Sequence, residues 1–120
     1  MKQNNPVKYS SDKLKKFKTV LDESLESTTD ELNSLKAIHI NQKQRIANSN
    51  VDFNENSKHF QQQAKNKRTI RRLQNKAREL NKALERVGDG TYGVCNRTGK
   101  LIREERLLAM PTARFDIKSK

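Results

Sequence analysis

The feature that most constrains this chain is a pair of long segments in which apolar residues recur at helical spacing with no internal proline or glycine. In the first, Leu14, Phe17, Leu21, Leu25, Leu32, Leu35 and Ile46 fall three, four or seven to eleven residues apart, with Thr28 filling one slot. That spacing puts one apolar stripe on one face of a helix. Ser10 or Ser11 supplies an N-cap, and Asp12 sits in the first turn, where an anion complements the helix dipole. An uninterrupted helix from about residue 10 to residue 47 would be ~50 Å long at a rise of ~1.5 Å per residue. In the second segment the stripe resumes at Phe60, Ala64, Ile70, Leu73, Ala77, Leu80, Leu84 and Val87.

Between the two, residues 48–57 read Asn-Ser-Asn-Val-Asp-Phe-Asn-Glu-Asn-Ser. Asn and Ser side chains compete for backbone hydrogen bonds and favour turns. Two narrow stripes joined this way can bury each other only by doubling back, so the sequence predicts a mainly α fold built on a long antiparallel coiled-coil hairpin. The expected boundaries are an N-terminal arm at 1–9, the hairpin at 10–87 with its tip at 48–57, and a small module at 88–120. Gly88 and Gly90 would stop the second helix by supplying a left-handed C-cap. The last module has Tyr92, Val94, Leu101, Ile102, Leu107, Phe115 and Ile117 to pack on the base of the hairpin, and at about 30 residues it needs such a neighbour.

Charge narrows the functional classes. The net charge is +12, and residues 57–88 alone carry +8, against −2 for residues 47–56. Basicity is thus gathered on the second helix, with Lys65, Arg68, Arg71 and Arg72 as candidate contact residues, while the hairpin tip is acidic. A cationic helix implies a polyanion or an acidic protein surface as partner. With no Trp, 5% aromatic residues and only 120 residues in all, there is little material for a buried catalytic cavity. A single cysteine, Cys95, leaves no internal disulfide, and neither an apolar leader nor a membrane span is present, so the expectation is a cytoplasmic monomer.

Several motifs carry no chemistry in this setting. Residues 88–93 match G-x-G-x-x-G, but the match follows a helix and lacks the strand that gives the dinucleotide motif its meaning. Asn96-Arg97-Thr98 is a glycosylation sequon relevant only to a secreted chain. His39 and His59 stand apart from any nucleophile or ligand set and read as ordinary helix positions. No catalytic residues are assigned, and the chain is not expected to be an enzyme.

The stretch from Asp89 to Lys120 is the most specific part of the sequence. It resembles the C-terminal zinc finger of the DksA/TraR family, whose pattern is D-G-x-Y-G-x-C-x-x-C-G-x-x-I-x-x-x-R-L-x-A-x-P-x-A-x-x-C-x-x-C. The glycines, Tyr92, Arg106, Leu107, Ala109, Pro111 and Ala113 fall in register. The four zinc-ligand positions of that pattern read Cys95, Thr98, Asp116 and Ser119, so three of four thiolates are replaced. A structural zinc site wants four soft or borderline ligands in closed geometry, and the expectation is therefore a degenerate finger without zinc.

The resemblance also implies a mechanism. Members of this bacterial family insert the coiled-coil tip into the secondary channel of RNA polymerase, where acidic residues near the catalytic region modulate initiation. The family's tip pattern is D-x-x-D-x-A. In one register Asp52 and Glu55 hold the two acidic positions, with Ser57 in place of Ala; in the other, Asp52 is the second acid and Asn54 takes the Ala position. Basic residues of the second helix would lie against acidic walls of the channel. Guanosine tetraphosphate binds some relatives, but Met110 replaces the Arg of their R-P-T-A motif, and no nucleotide site is assigned. Two other readings compete. One is a basic helical protein that binds nucleic acid without sequence preference, and the other is a structural coiled coil that dimerises through its stripe.

Overall fold

The structure is a computed structural model, and it describes residues 8–47 and 53–116. Helix α1 runs Ser11–Ala47 and helix α2 runs Phe53–Asp89, followed by a short helix α3 at Glu104–Ala109. The fold is mainly α, a helical hairpin with a small C-terminal module, as the apolar spacing predicts. Strand pairing among the described residues is limited to an isolated antiparallel bridge between Val94 and Leu101.

The chain divides into two compact units, Met1–Leu25 with Arg78–Lys120, and Glu26–Ala77. In the first, the opening of α1 and the last turns of α2 sandwich a core with the C-terminal module. Phe17, Leu21, Leu80, Ala83, Tyr92, Ile102 and Leu107 are all buried there. Phe17 is the hinge of an aromatic group: its ring meets the edge of Tyr9 at 5.2 Å and a tilted Tyr92 at 5.2 Å. Such pairs add ~1 kcal/mol each beyond the area they bury.

The N-cap of α1 is Ser10, whose Oγ accepts from the Lys13 amide at 3.2 Å. At the other end of α2, Gly88 remains helical and Gly90, at φ +82°, is the residue that stops the helix. The amide of Thr91 donates back to the Arg86 carbonyl at 2.9 Å and that of Gly90 to Val87 at 3.1 Å. These bonds use carbonyls that the helix end would leave unpaired.

In the second unit the two helices pair antiparallel, fixed by a hydrogen bond from Asn66 Nδ2 to Gln42 Oε1 at 2.9 Å. Thr28, Leu32 and His39 are buried on α1, and Asn66 and Leu73 on α2. The apolar stripe therefore does not run the whole way. Phe60 and Ala64 were expected in it, but Phe60 is 61% exposed and Ala64 is also exposed, while Asn66 occupies the seam. The cause is register: stepping back from Leu73 by alternating three and four residues reaches Ile70, Asn66 and Gln63, not Phe60 and Ala64. On α1 the same steps from Leu35 reach His39 and Gln42, and leave Ile38 and Ile40 about half exposed.

Helix α2 begins at Phe53, so residues 53–57 of the Asn-rich segment are helical. Weak intrinsic propensity at three or four positions costs only a few tenths of a kcal/mol each and yields to the packed helix that follows.

Candidate functional site

Two regions bear on function: the C-terminal module of the first unit and the cationic face of α2 in the second.

The module is a tight loop closed by backbone hydrogen bonds. Cys95 donates from its amide to the Lys100 carbonyl at 2.8 Å and accepts at its own carbonyl from Gly99 at 2.8 Å, while the Ile102 amide reaches the Gly93 carbonyl at 2.7 Å. A cavity of about 450 Å³ opens beside it, lined by Cys95, Thr98, Asp116, Arg97, Lys100 and Arg103. Three of the four positions that correspond to zinc ligands thus do converge, while Ser119 lies outside the described residues.

What converges is not a zinc donor set. Asp116 is committed to Arg103: its carboxylate accepts from the Arg103 Nε at 3.1 Å and from the Arg103 amide at 3.3 Å. The Thr98 hydroxyl accepts from the Lys100 amide at 3.2 Å and also bonds the Cys95 thiol. Among the described residues no group of three or more His, Cys, Asp or Glu side chains could hold a metal ion. One thiol, one hydroxyl and one ion-paired carboxylate do not fit a site that in structural zinc proteins takes four Cys or His ligands. Cys95 is 4% exposed, and hydrogen bonds from the Thr98 hydroxyl, then from the Asp116, Thr98 and Arg97 amides, bring its thiol down to about 7.

The module is fastened to the helices by contacts that the sequence alone does not announce. The Lys13 ammonium bonds both carboxylate oxygens of Glu104 at 2.9 and 2.8 Å, joining α1 to α3. Arg114 pairs with Glu79 of α2 at 2.9 Å. The Tyr92 hydroxyl donates to the Pro111 carbonyl at 2.7 Å, and the Tyr9 hydroxyl donates to the Ile102 carbonyl. Burial pushes the Tyr92 phenol up to about 12. Phe115, expected in this small core, is instead 42% exposed, with the Arg97 guanidinium 5.0 Å above its ring. Cys95 and Ala113 occupy the core in its place. Ile117 lies outside the described residues.

On α2, Lys65, Arg68, Arg71 and Arg72 are all exposed. Asp52 lies outside the described residues, and Glu55 falls within the first turn of α2. Among the described residues neither Lys65 nor Arg72 joins the ion pairs seen at Lys13, Lys18, Lys82, Arg103 and Arg114. His39 is the residue most misjudged from sequence: it is buried, with its Nδ1 unpartnered among the described residues. The signal was available in the register, which carries His39 into the seam four residues after Leu35.

Residues 90–115 match the prokaryotic dksA/traR C4-type zinc finger. General stress protein 16O of Bacillus subtilis (strain 168) is 51% identical over 41 residues, covering 34% of this chain and 25% of that protein. An uncharacterized protein of Aquifex aeolicus (strain VF5) is 50% identical over 38 residues, covering 32% of this chain and 26% of that protein. Each match therefore spans about a quarter of the length of the curated relative. Among solved structures, transcription factor DksA2 from Pseudomonas aeruginosa superposes with a TM-score of 0.77 at 23% identity, over 87% of this chain and 77% of that one. That likeness establishes the fold. The C-terminal module thus carries the sequence of the dksA/traR C4-type zinc finger, and the chain has the fold of DksA2 over most of its length.

Proposed function

We propose that the chain regulates transcription in the bacterial cytoplasm by binding RNA polymerase, entering the secondary channel with the segment 48–57 so that Asp52 and Glu55 approach the catalytic region. The observation that carries this reading is the form of the second unit. Two antiparallel helices, 26–47 and 53–77, are separated in sequence by only five residues, Asp52 among them, and Glu55 lies in the first turn of the second helix. At ~1.5 Å per residue the α1 part of that unit is about 33 Å long, enough to probe a deep channel. A narrow, polar-surfaced pair of helices suits that task, because no broad apolar face has to be desolvated. Lys65, Arg68, Arg71 and Arg72 add attraction toward acidic walls of the enzyme, and this part of the affinity weakens with salt.

The protein works as a monomer and, in this proposal, without zinc, since Thr98 and Asp116 at two of the ligand positions serve other contacts. No nucleotide site is assigned. No helix among the described residues is long and apolar enough to cross a membrane.

The test is co-purification with core RNA polymerase, followed by run-off transcription with wild type, Asp52→Asn and Glu55→Gln. Wild type should bind and alter initiation, while both variants bind with near-equal affinity and lose the effect. Failure of wild type to bind the enzyme would refute the reading. Binding with an undiminished effect in both variants would remove the acidic segment from the mechanism.

A further inference from the structure

The polymerase reading uses the cationic face of α2 only for general attraction toward the enzyme, and that face is more charged than such attraction needs. Between residues 57 and 78 the sequence holds eight Lys or Arg and no Asp or Glu. In the same unit, residues 26–45 of α1 are balanced, with three acids and three bases. Charge in this unit is therefore one-sided and belongs to α2.

The structure orders these cations. At about 100° per residue, Lys65, Arg68, Arg72 and Lys76 fall within a sector of about 80°, all four are exposed, and none pairs with a described carboxylate. Lys65 to Lys76 spans about 16 Å of helix, beside which B-form DNA presents roughly ten phosphates. Keeping four unpaired like charges on one stripe is unfavourable in isolation, because like charges at i,i+4 repel. A polyanion removes that cost.

From this we infer that the exposed cationic stripe of α2 binds the phosphodiester backbone of duplex nucleic acid without reading its sequence. The composition of the stripe separates this partner from others. Protein interfaces draw on aromatic and Met anchors and are depleted in Lys, and residues 64–78 contain no aromatic residue and no Met. The same absence argues against single strands, whose binding relies on bases stacking on aromatic rings. Duplex backbone contacts need only cations spaced along a rod. This binding is independent of the acidic segment at 48–57.

The test uses the full chain and a labelled 30-base-pair duplex of random sequence, followed by fluorescence anisotropy without polymerase. With about four phosphate contacts, affinity should fall about 100-fold between 50 and 200 mM salt, and a second duplex of unrelated sequence should bind equally. Arg68→Gln with Arg72→Gln should weaken binding at least about tenfold at 50 mM salt and lower the salt slope by about two. Lys15→Gln with Lys16→Gln makes the same change in net charge on exposed residues of α1, and should cost less than about twofold. Circular dichroism of each variant checks that the helices persist.

Equal losses in the two double variants would reduce the effect to net charge and overturn the proposal. So would displacement of the duplex by polyglutamate at a lower concentration of charge, which would mark an acidic protein as the partner. Since polymerase is absent throughout, failure here leaves the polymerase reading intact, and failure of that reading leaves this one standing.

Discussion

Arg103 donates both its backbone amide and its guanidinium Nε to the carboxylate of Asp116, at 3.3 and 3.1 Å, where the family pattern would place a thiolate on a metal. The two residues lie thirteen apart and bring the end of the described chain back against the segment entering α3. A charge-assisted hydrogen bond thus makes the long-range closure that a metal would otherwise make. It is weaker than a metal bond, because the Arg103 side chain is 58% exposed and Asp116 is 18% exposed. The remaining closure comes from the buried Tyr92, Ile102 and Leu107, which pack on α1 and α2.

The first prediction follows from that substitution of one closure for another. Purified protein should hold far less than one zinc per chain by elemental analysis and melt at the same temperature with or without a chelator. Asp116→Ala should lower stability by only about 1 kcal/mol, as partly exposed pairs do, or roughly 4–8 °C in Tm. One tightly held zinc per chain, or a chelator-induced drop in Tm, would show that the module is metal-dependent after all.

Two neighbouring glycines should respond in opposite directions to alanine. Gly93 has φ +82°, and a Cβ there would stand 2.6 Å from Tyr9 Cδ2 and Cε2 and 3.2 Å from Leu107 Cδ1. Gly93→Ala would displace the ring that bonds the Ile102 carbonyl and edges onto Phe17, and should cost about 2–3 kcal/mol. Gly88 sits in the last turns of α2 with nothing within 4 Å of an added Cβ. Gly88→Ala should stabilise by about 0.5–1 kcal/mol. Urea denaturation of the pair decides it: a Gly93→Ala protein as stable as wild type would mean that the Tyr9 contact is not tight.

The helices were legible because apolar spacing states their period directly, and Leu21, Leu73 and Leu80 are buried as that spacing requires. The finger was legible from its glycines and from Tyr92, which the pattern places in register and the fold buries. The far half of the seam was not, since a search for apolar residues follows Phe60 and Ala64, whereas the register passes through His39, Gln42 and Asn66. Polar residues in a seam are visible only once the pairing of the helices fixes which positions face each other. The bonds of Glu104 to Lys13 and of Asp116 to Arg103 join residues 91 and 13 apart, and no local pattern reports them.

That polar seam leads to a pH dependence. His39 is buried between α1 and α2 in the second unit, with Asn66 bonded to Gln42 and Gln62 in the same seam. Its pKa is held below the ordinary 6.5 by burial first, then by the positive charges of Lys43 on its own helix and Lys67 on the facing one. The unfolded chain, by contrast, takes up a proton near 6.5, so acid favours unfolding. The stability due to neutral His39 is complete above pH 6.5 and is lost as the pH falls through its lowered folded pKa. Thermal melts followed by circular dichroism should therefore show Tm falling from pH 7.5 to pH 5. His39→Leu removes the titrating group and its unpartnered Nδ1, and should raise stability by about 1 kcal/mol at neutral pH while flattening the dependence between pH 7 and 5. An unchanged pH slope in His39→Leu would assign the acid sensitivity to the carboxylates, and His39 would then be a packing residue with no part in it.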